Sequence, residues 1–257
     1  LLSPTGSSAQ FSNQADYLFR VIPPTDEQAI GLANYAYNEL GLRQVTGICD
    51  LGNKAFSEST WQSFQAEFKK LGGQADQCFG FTSGQTDLAP FIEEVMAANP
   101  TTIMFASSDI DTALMIQYIR QQSADIPLIS ASWAQTSELL AKGGGAVEGL
   151  HLVALYDLDN PDARFQKFVQ SFEKRYNRTP DFSAAYAYEA VLVLAEALKQ
   201  TGGKAEGLPE ALVNVKDLPG VQGTISMNEY GDAKRSFYVA VVENGQFQVI
   251  DTVQGSN

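Results

Sequence analysis

Thr102-Ile-Met-Phe-Ala-Ser-Ser-Asp109 is the stretch whose reading decides the fold. A short apolar run ends in two hydroxyls and an acid, and Leu114, Met115 and Tyr118 then follow at helical spacing. That is a buried strand, a polar strand mouth and an amphipathic helix. Working outward, residues 44–49, 75–81 and 127–129 repeat the pattern, so four strand-then-helix units lie between Gln44 and Gly149. Alternation of this kind predicts an α/β fold, a parallel sheet flanked by helices with ligands taken up where the strands end.

The loops after those ends read Asn53-Lys-Ala-Phe56, Ser107-Ser-Asp109 and Ser130-Ala-Ser-Trp133. Hydroxyls and rings hold a small molecule well but transform it poorly. No G-x-S-x-G elbow, G-x-x-x-x-G-K-[ST] loop or strand-borne G-x-G-x-x-G occurs. The single histidine, His151, lies in a strand, where a lone imidazole is structural, and no metal set or cofactor is expected. Gly143-Gly-Gly145 follows a helix and precedes a strand, so it reads as a helix stop. The chain is expected to be a receptor, not an enzyme.

A charge of −13 over 257 residues would be repelled by a nucleic-acid duplex or an anionic membrane. No apolar run approaches the roughly 18 residues that span a bilayer. The abrupt opening Leu1-Leu2-Ser3 suggests a missing upstream part, so the lack of a signal peptide decides nothing about compartment. Cys49 and Cys78 lie in strands that could be neighbours. One bridge is possible, but the reading preferred here is two buried thiols acting as small apolar side chains.

Outside the block the pattern changes. Residues 17–22 read as a strand stopped by Pro23-Pro24, and a helix from Asp26 to about Leu40 carries Ala29, Leu32, Ala33 and Ala36 on one face. Long helices are expected over 162–176 and 183–200, and the Asn244-Gly245 turn predicts a closing hairpin. The chain therefore divides into two lobes: residues 1–24 plus 155–238, an incomplete first lobe, and residues 25–154 plus 239–257, a Rossmann-like second lobe. Short connections between lobes are what a hinge requires.

Ser3-Pro-Thr-Gly-Ser-Ser8, Phe19-Arg-Val-Ile-Pro-Pro24, Asp50-Leu-Gly-Asn-Lys-Ala-Phe56, Tyr186-Ala-Tyr-Glu-Ala190 and Gly223-Thr-Ile-Ser-Met-Asn-Glu-Tyr-Gly-Asp232 occur in this order. Together they resemble type I periplasmic solute-binding proteins of ABC transporters, in the leucine/isoleucine/valine-binding group. The resemblance implies a two-lobed fold without the N-terminal part of lobe 1, hinge closure over a small carboxylate, a membrane permease as partner and a monomeric state. It also implies a periplasmic or extracellular location, with a lipid anchor as one form of tethering. Thr5, Ser7 and Ser8 would bind the ligand carboxylate. Phe56 stands where relatives carry a stacking Tyr, although its place before the next helix equally suits a staple, and Ser108 and Ser132 would reach the ligand from the second lobe. Trp133, at the mouth of a strand, is either a cleft wall or a local packing residue. Asp109 would meet a ligand amine, Asp111 would cap its helix, and Tyr186 or Tyr188 would approach the cleft. Ser132 replaces a Glu that pairs with the ligand ammonium in amino-acid receptors, which makes an aromatic acid a rival to a branched-chain amino acid. The other classes open to the sequence are the ligand-sensing ectodomain of a membrane receptor and a cytoplasmic α/β enzyme.

Overall fold

The computed structural model describes residues 1–255. Contacts divide the chain into two compact units. One comprises Leu1–Pro24, Tyr156–Phe237 and the chain from Gln254; the other comprises Thr25–Leu155 and Tyr238–Val253. Gln254 and Gly255 thus group with the first unit, although the sequence pattern puts the whole tail in the second.

The first unit opens with β1 (Leu2–Ser3), which pairs in parallel with β2 (Phe19–Arg20). Only two residues of the expected strand over 17–22 pair, and Tyr17 at its start is exposed.

The second unit then runs α1 (Thr25–Asn38), β3 (Thr46–Asp50), α2 (Lys54–Lys70), β4 (Cys78–Phe81), α3 (Leu88–Ala97), β5 (Ile103–Ala106), α4 (Asp109–Gln122), β6 (Leu128–Ser130), α5 (Ser137–Gly143) and β7 (His151–Ala154). Asp26 and Glu27 occupy the first turn of α1, where carboxylates favour the positive end of the helix. Asp87 caps α3 by accepting from the Ala89 amide.

Back in the first unit come α6 (Ala163–Tyr176), α7 (Phe182–Gln200), α8 (Leu208–Val213) and an antiparallel sheet of β8 (Leu218–Pro219), β9 (Thr224–Met227) and β10 (Ala233–Lys234). Asp162 caps α6 and Asp181 caps α7. Tyr156, Phe165, Phe168, Ala185 and Val221 form its aromatic-rich cluster. The chain closes with β11 (Phe237–Glu243) and β12 (Gln246–Val253), joined by Asn244 and Gly245 with φ of 53° and 70°, as a two-residue hairpin turn demands.

The seven-stranded sheet of the second unit has the order β12-β11-β7-β6-β5-β3-β4. From β4 to β7 it is parallel, and β11 joins β7 antiparallel. The apolar runs are continuous because helices cover both faces. Ile48 of β3 points into a cluster with Ile92, Phe105 and Ile116, whereas its neighbour Gly47 faces the Trp61 ring of α2. A Cβ on Gly47 would lie 2.7 Å from both the Trp61 ring and the Cys78 sulfur, so only glycine fits.

Among the parallel strands the chain begins at β3, moves to β4 on one side and crosses to β5 on the other. The gap between β3 and β5 is therefore the topological switch point, where open α/β sheets take up ligands at the carboxyl ends of their strands.

Candidate functional site

The two loops at the switch point follow β3 and β5. After β3, the Asp50 carboxylate accepts from the Gly52 amide at 2.8 Å, and the Ser57 hydroxyl donates to the Asp50 carbonyl at 2.6 Å. These bonds fold the chain straight into α2 and put Phe56 in its first turn, buried. Its ring meets Trp133, carried on the 3-10 turn Ser132–Ala134 after β6. The two are edge to face, with centroids 5.5 Å apart and planes at 79°. Residues distant in sequence thus form one aromatic surface at the strand mouths.

The hydroxyls and the acid expected beside this surface have local partners. Ser108 caps α4, accepting from the Asp111 amide at 3.2 Å and donating to the Asp111 carboxylate at 2.7 Å. The cap is therefore Ser108 and not Asp111, and the helix starts at Asp109, because a hydroxyl three residues upstream meets the free amide first. Asp109 accepts from the Ile110 amide and from the Thr136 hydroxyl, which ties it to the start of α5. Ser132 is buried and donates to Gln28 Oε1 at 2.6 Å.

The loop Ser3-Pro-Thr-Gly-Ser-Ser8 belongs to the first unit. Ser3 Oγ accepts from the Gly6 amide at 2.9 Å, Ser7 and Ser8 are buried, and Thr5 is exposed. Ser8 caps the 3-10 turn Ala9–Phe11. Tyr186 is wholly buried with the Arg235 guanidinium 4.7 Å from its ring centroid, whereas Tyr188 is half exposed. Tyr188 instead joins Phe168, Phe172 and Tyr176 in lining a cavity of about 600 Å³ within the first unit, which none of the nine expected ligand residues lines.

Two buried ion pairs escaped the sequence reading. Arg20 is buried against Asp232 at 2.6 Å, and Arg235 against Glu189 at 2.5 Å. Arg20 and Glu189 lie in apolar stretches, and a charge there was the available signal. Cys49 and Cys78 form a disulfide, which corrects the preference for two thiols. The register pairs Gly47 with Cys78 and Cys49 with Gly80, so the cysteines are diagonal neighbours on one face, with Cα atoms 6.0 Å apart.

His151 is half-buried beside Tyr35, its Nδ1 3.1 Å from the Gly149 carbonyl, and burial lowers its pKa. Among the described residues no group of three His, Cys, Asp or Glu side chains could hold a metal ion, and no helix is long and apolar enough to cross a membrane.

The model of the family described as periplasmic binding protein matches residues 1–246. The chain belongs to this family. A leucine-binding protein of Thermotoga maritima is 26% identical with a TM-score of 0.90, and the match covers 98% of this chain and 72% of that one. A solute-binding protein of an ABC transporter from R. palustris, solved with benzoate, is 19% identical with a TM-score of 0.87, covering 99% and 71%. The branched-chain amino acid binding protein LivJ of Streptococcus pneumoniae, solved with isoleucine, is 20% identical with a TM-score of 0.86, covering 99% and 72%. No curated protein sequence matches the chain. The family and these likenesses establish the type I periplasmic-binding fold, and this periplasmic binding protein spans a little under three quarters of each of the three.

Proposed function

We propose that the protein is the solute receptor of an ABC transporter and captures a small carboxylate with an apolar body. The observation that carries this reading is the Phe56–Trp133 surface at the carboxyl ends of the parallel strands. Two rings there offer a hydrophobic seat and no nucleophile, base or metal set. The hydroxyls and amides of the Ser3-Pro-Thr-Gly-Ser-Ser8 loop take the carboxylate, since hydrogen bonds to an ionised group are about twice as strong as neutral ones.

Thr5 and Ser7 make the principal contacts, with Ser8 beside them. Phe56, Ser108, Ser132 and Trp133 hold the apolar body, and Tyr186 backs the site. An aromatic acid suits Ser132, which cannot neutralise an ammonium, whereas a branched-chain amino acid requires Asp109 to do so. The relatives solved with benzoate and isoleucine bracket this range.

One ligand engages both sets, and the short connections between the units bend to allow it. Turning a mostly open population into a mostly closed one takes about 5.5 kcal/mol of differential binding. A membrane permease reads the closed form. The Cys49–Cys78 bridge agrees with a periplasmic or extracellular setting and weighs against a cytoplasmic enzyme.

Thermal denaturation with leucine, isoleucine, valine and benzoate tests the reading. A true ligand at a hundredfold excess over its Kd adds about 2.7 kcal/mol of stability. That gain should vanish in Phe56→Ala and in Ser7→Ala. A ligand whose stabilisation survives both substitutions removes the assignment of the site.

A further inference from the structure

Resting on that reading of the Ser3-Pro-Thr-Gly-Ser-Ser8 loop, we propose that Arg20, oriented by Asp232, is the positioning residue that sets the loop's geometry for a carboxylate. The loop leaves the protein at β1 and returns at β2, where the Val21 amide donates to the Ser3 carbonyl at 3.3 Å. This closes its base and leaves the rest of a long excursion to be ordered by side chains. The Arg20 guanidinium does so from inside, with its side chain 0% exposed.

Each of its nitrogens has a separate task. Nε donates to Asp232 Oδ1 at 2.6 Å, Nη1 to the Ser8 carbonyl at 2.6 Å and Nη2 to Ser12 Oγ at 2.9 Å. The last two hold the flanks of the 3-10 turn Ala9–Phe11, and Asp232 Oδ2 accepts from the Asn13 amide at 3.2 Å just beyond it. Asp232 is itself fixed, since its amide donates to Asn228 Oδ1 and its carbonyl accepts from the Asn228 amide, both at 2.8 Å. The hairpin around Asn228 and Asp232 thus sets the guanidinium, and the guanidinium sets Ser8.

The rigid planar fork grips a carbonyl, a hydroxyl and a carboxylate from three separate nitrogens in fixed directions; an ammonium has the charge and three donors, but all on one atom and without the fork. Replacing a buried ion pair by hydrocarbon of similar volume often leaves stability unchanged. The pair's distinctive contribution is therefore geometric. It holds Ser8, and with it Ser7, in one arrangement before the ligand arrives, which lowers the cost of ordering the loop on binding.

The test is selectivity between an acid and its amide, leucine against leucinamide and benzoate against benzamide, measured by calorimetry on the wild type and three variants. Arg20→Lys keeps the charge and loses the fork. Arg20→Met with Asp232→Leu keeps a filled interior and loses every grip. Ser12→Ala removes one grip and leaves the ion pair, so it remains informative where the others fail to fold.

We expect the acid-over-amide preference to fall about tenfold or more in Arg20→Lys and in the double variant, and by less in Ser12→Ala. A merely structural role would lower the melting temperature and leave that ratio as it was. Folded variants that keep the wild-type ratio overturn the positioning role while the carboxylate site stands. A wild type that binds acid and amide alike overturns both.

Discussion

In the second unit the ion pairs Lys54–Glu58, Lys69–Asp76 and Lys70–Glu67 lie at the surface, around an interior of Ile48, Ile92, Phe105, Ile116 and Leu152. In the first unit two ion pairs lie inside, Arg20–Asp232 and Arg235–Glu189, with side chains between 0% and 7% exposed. One region is held by hydrocarbon on both faces of a broad sheet. The other has, among the described residues, a two-stranded and a three-stranded sheet, and charged groups join its separate chain segments. Glu189 on α7 shows how: it accepts from Arg235 and from the Val221 and Gln222 amides, which pins the turn before β9 to the helix.

The comparison breaks if removing a buried charge from the first unit costs no more than removing a surface one. Glu189→Ala removes the carboxylate that faces the buried Arg235 cation and is expected to cost about 3–5 kcal/mol. Glu196→Ala, at the exposed pair with Lys199, should cost less than about 1 kcal/mol. Phe105→Ala in the second unit should cost about 3–5 kcal/mol through its cavity. Both tryptophans, Trp61 and Trp133, lie in the second unit, so fluorescence follows that unit alone while far-ultraviolet circular dichroism follows both. Glu189→Ala should move the dichroism transition more than the fluorescence one. Equal shifts would mean that the two units melt together and that the contrast has no thermodynamic counterpart.

The second unit has one covalent device of its own. Cys49–Cys78 ties β3 to the edge strand β4 and closes a loop with a sequence separation of 29. Its loss in Cys49→Ser with Cys78→Ser should lower stability by about 2–4 kcal/mol. Trp61 lies over Gly47 beside the Cys78 sulfur, so the fluorescence transition should show the drop at full size. A transition unmoved by the double substitution would leave the hydrocarbon interior as the sole support of this sheet.

The second unit was legible because its signals are local. Each strand is a short apolar run, each helix a stripe at helical spacing, and each strand mouth a cluster of hydroxyls and rings. Even its misreading was local: Ser108-Asp-Ile-Asp111 contains both possible caps, and the serine one turn earlier takes the role. The bridge was not legible, since two cysteines face each other only in one strand register, and a shift of one residue would turn Cys78 to the opposite face.

Still less could periodicity find the pairs of the first unit. Arg20 meets Asp232 across a separation of 212 residues, and Arg235 meets Glu189 across 46. A charge in an apolar strand marks that a partner must exist without saying which one. For the candidate site, sequence put Phe56 and Trp133 at strand mouths, and the fold added that the two rings touch. It also added that Ser108, Asp109 and Ser132 are engaged locally, by Asp111, Thr136 and Gln28.

The smallest expected effect sharpens the comparison from the acidic side. His151 opens β7, and its imidazole is half-buried beside Tyr35. Burial lowers its pKa, outweighing the hydrogen bond to the Gly149 carbonyl, which favours the charged form. In the unfolded chain the same group titrates near its ordinary value of about 6.5. Between the lowered folded value and that one, the unfolded state binds more protons, so stability rises with pH. The contribution is complete above about pH 6.5 and is lost as the pH falls through the folded pKa. Wild type and His151→Gln, melted from pH 8 to pH 5 with fluorescence as the probe, should therefore diverge. The wild type should lose melting temperature on acidification, and the variant should lose less. Parallel curves would show that the second unit tolerates the charged imidazole at the start of β7.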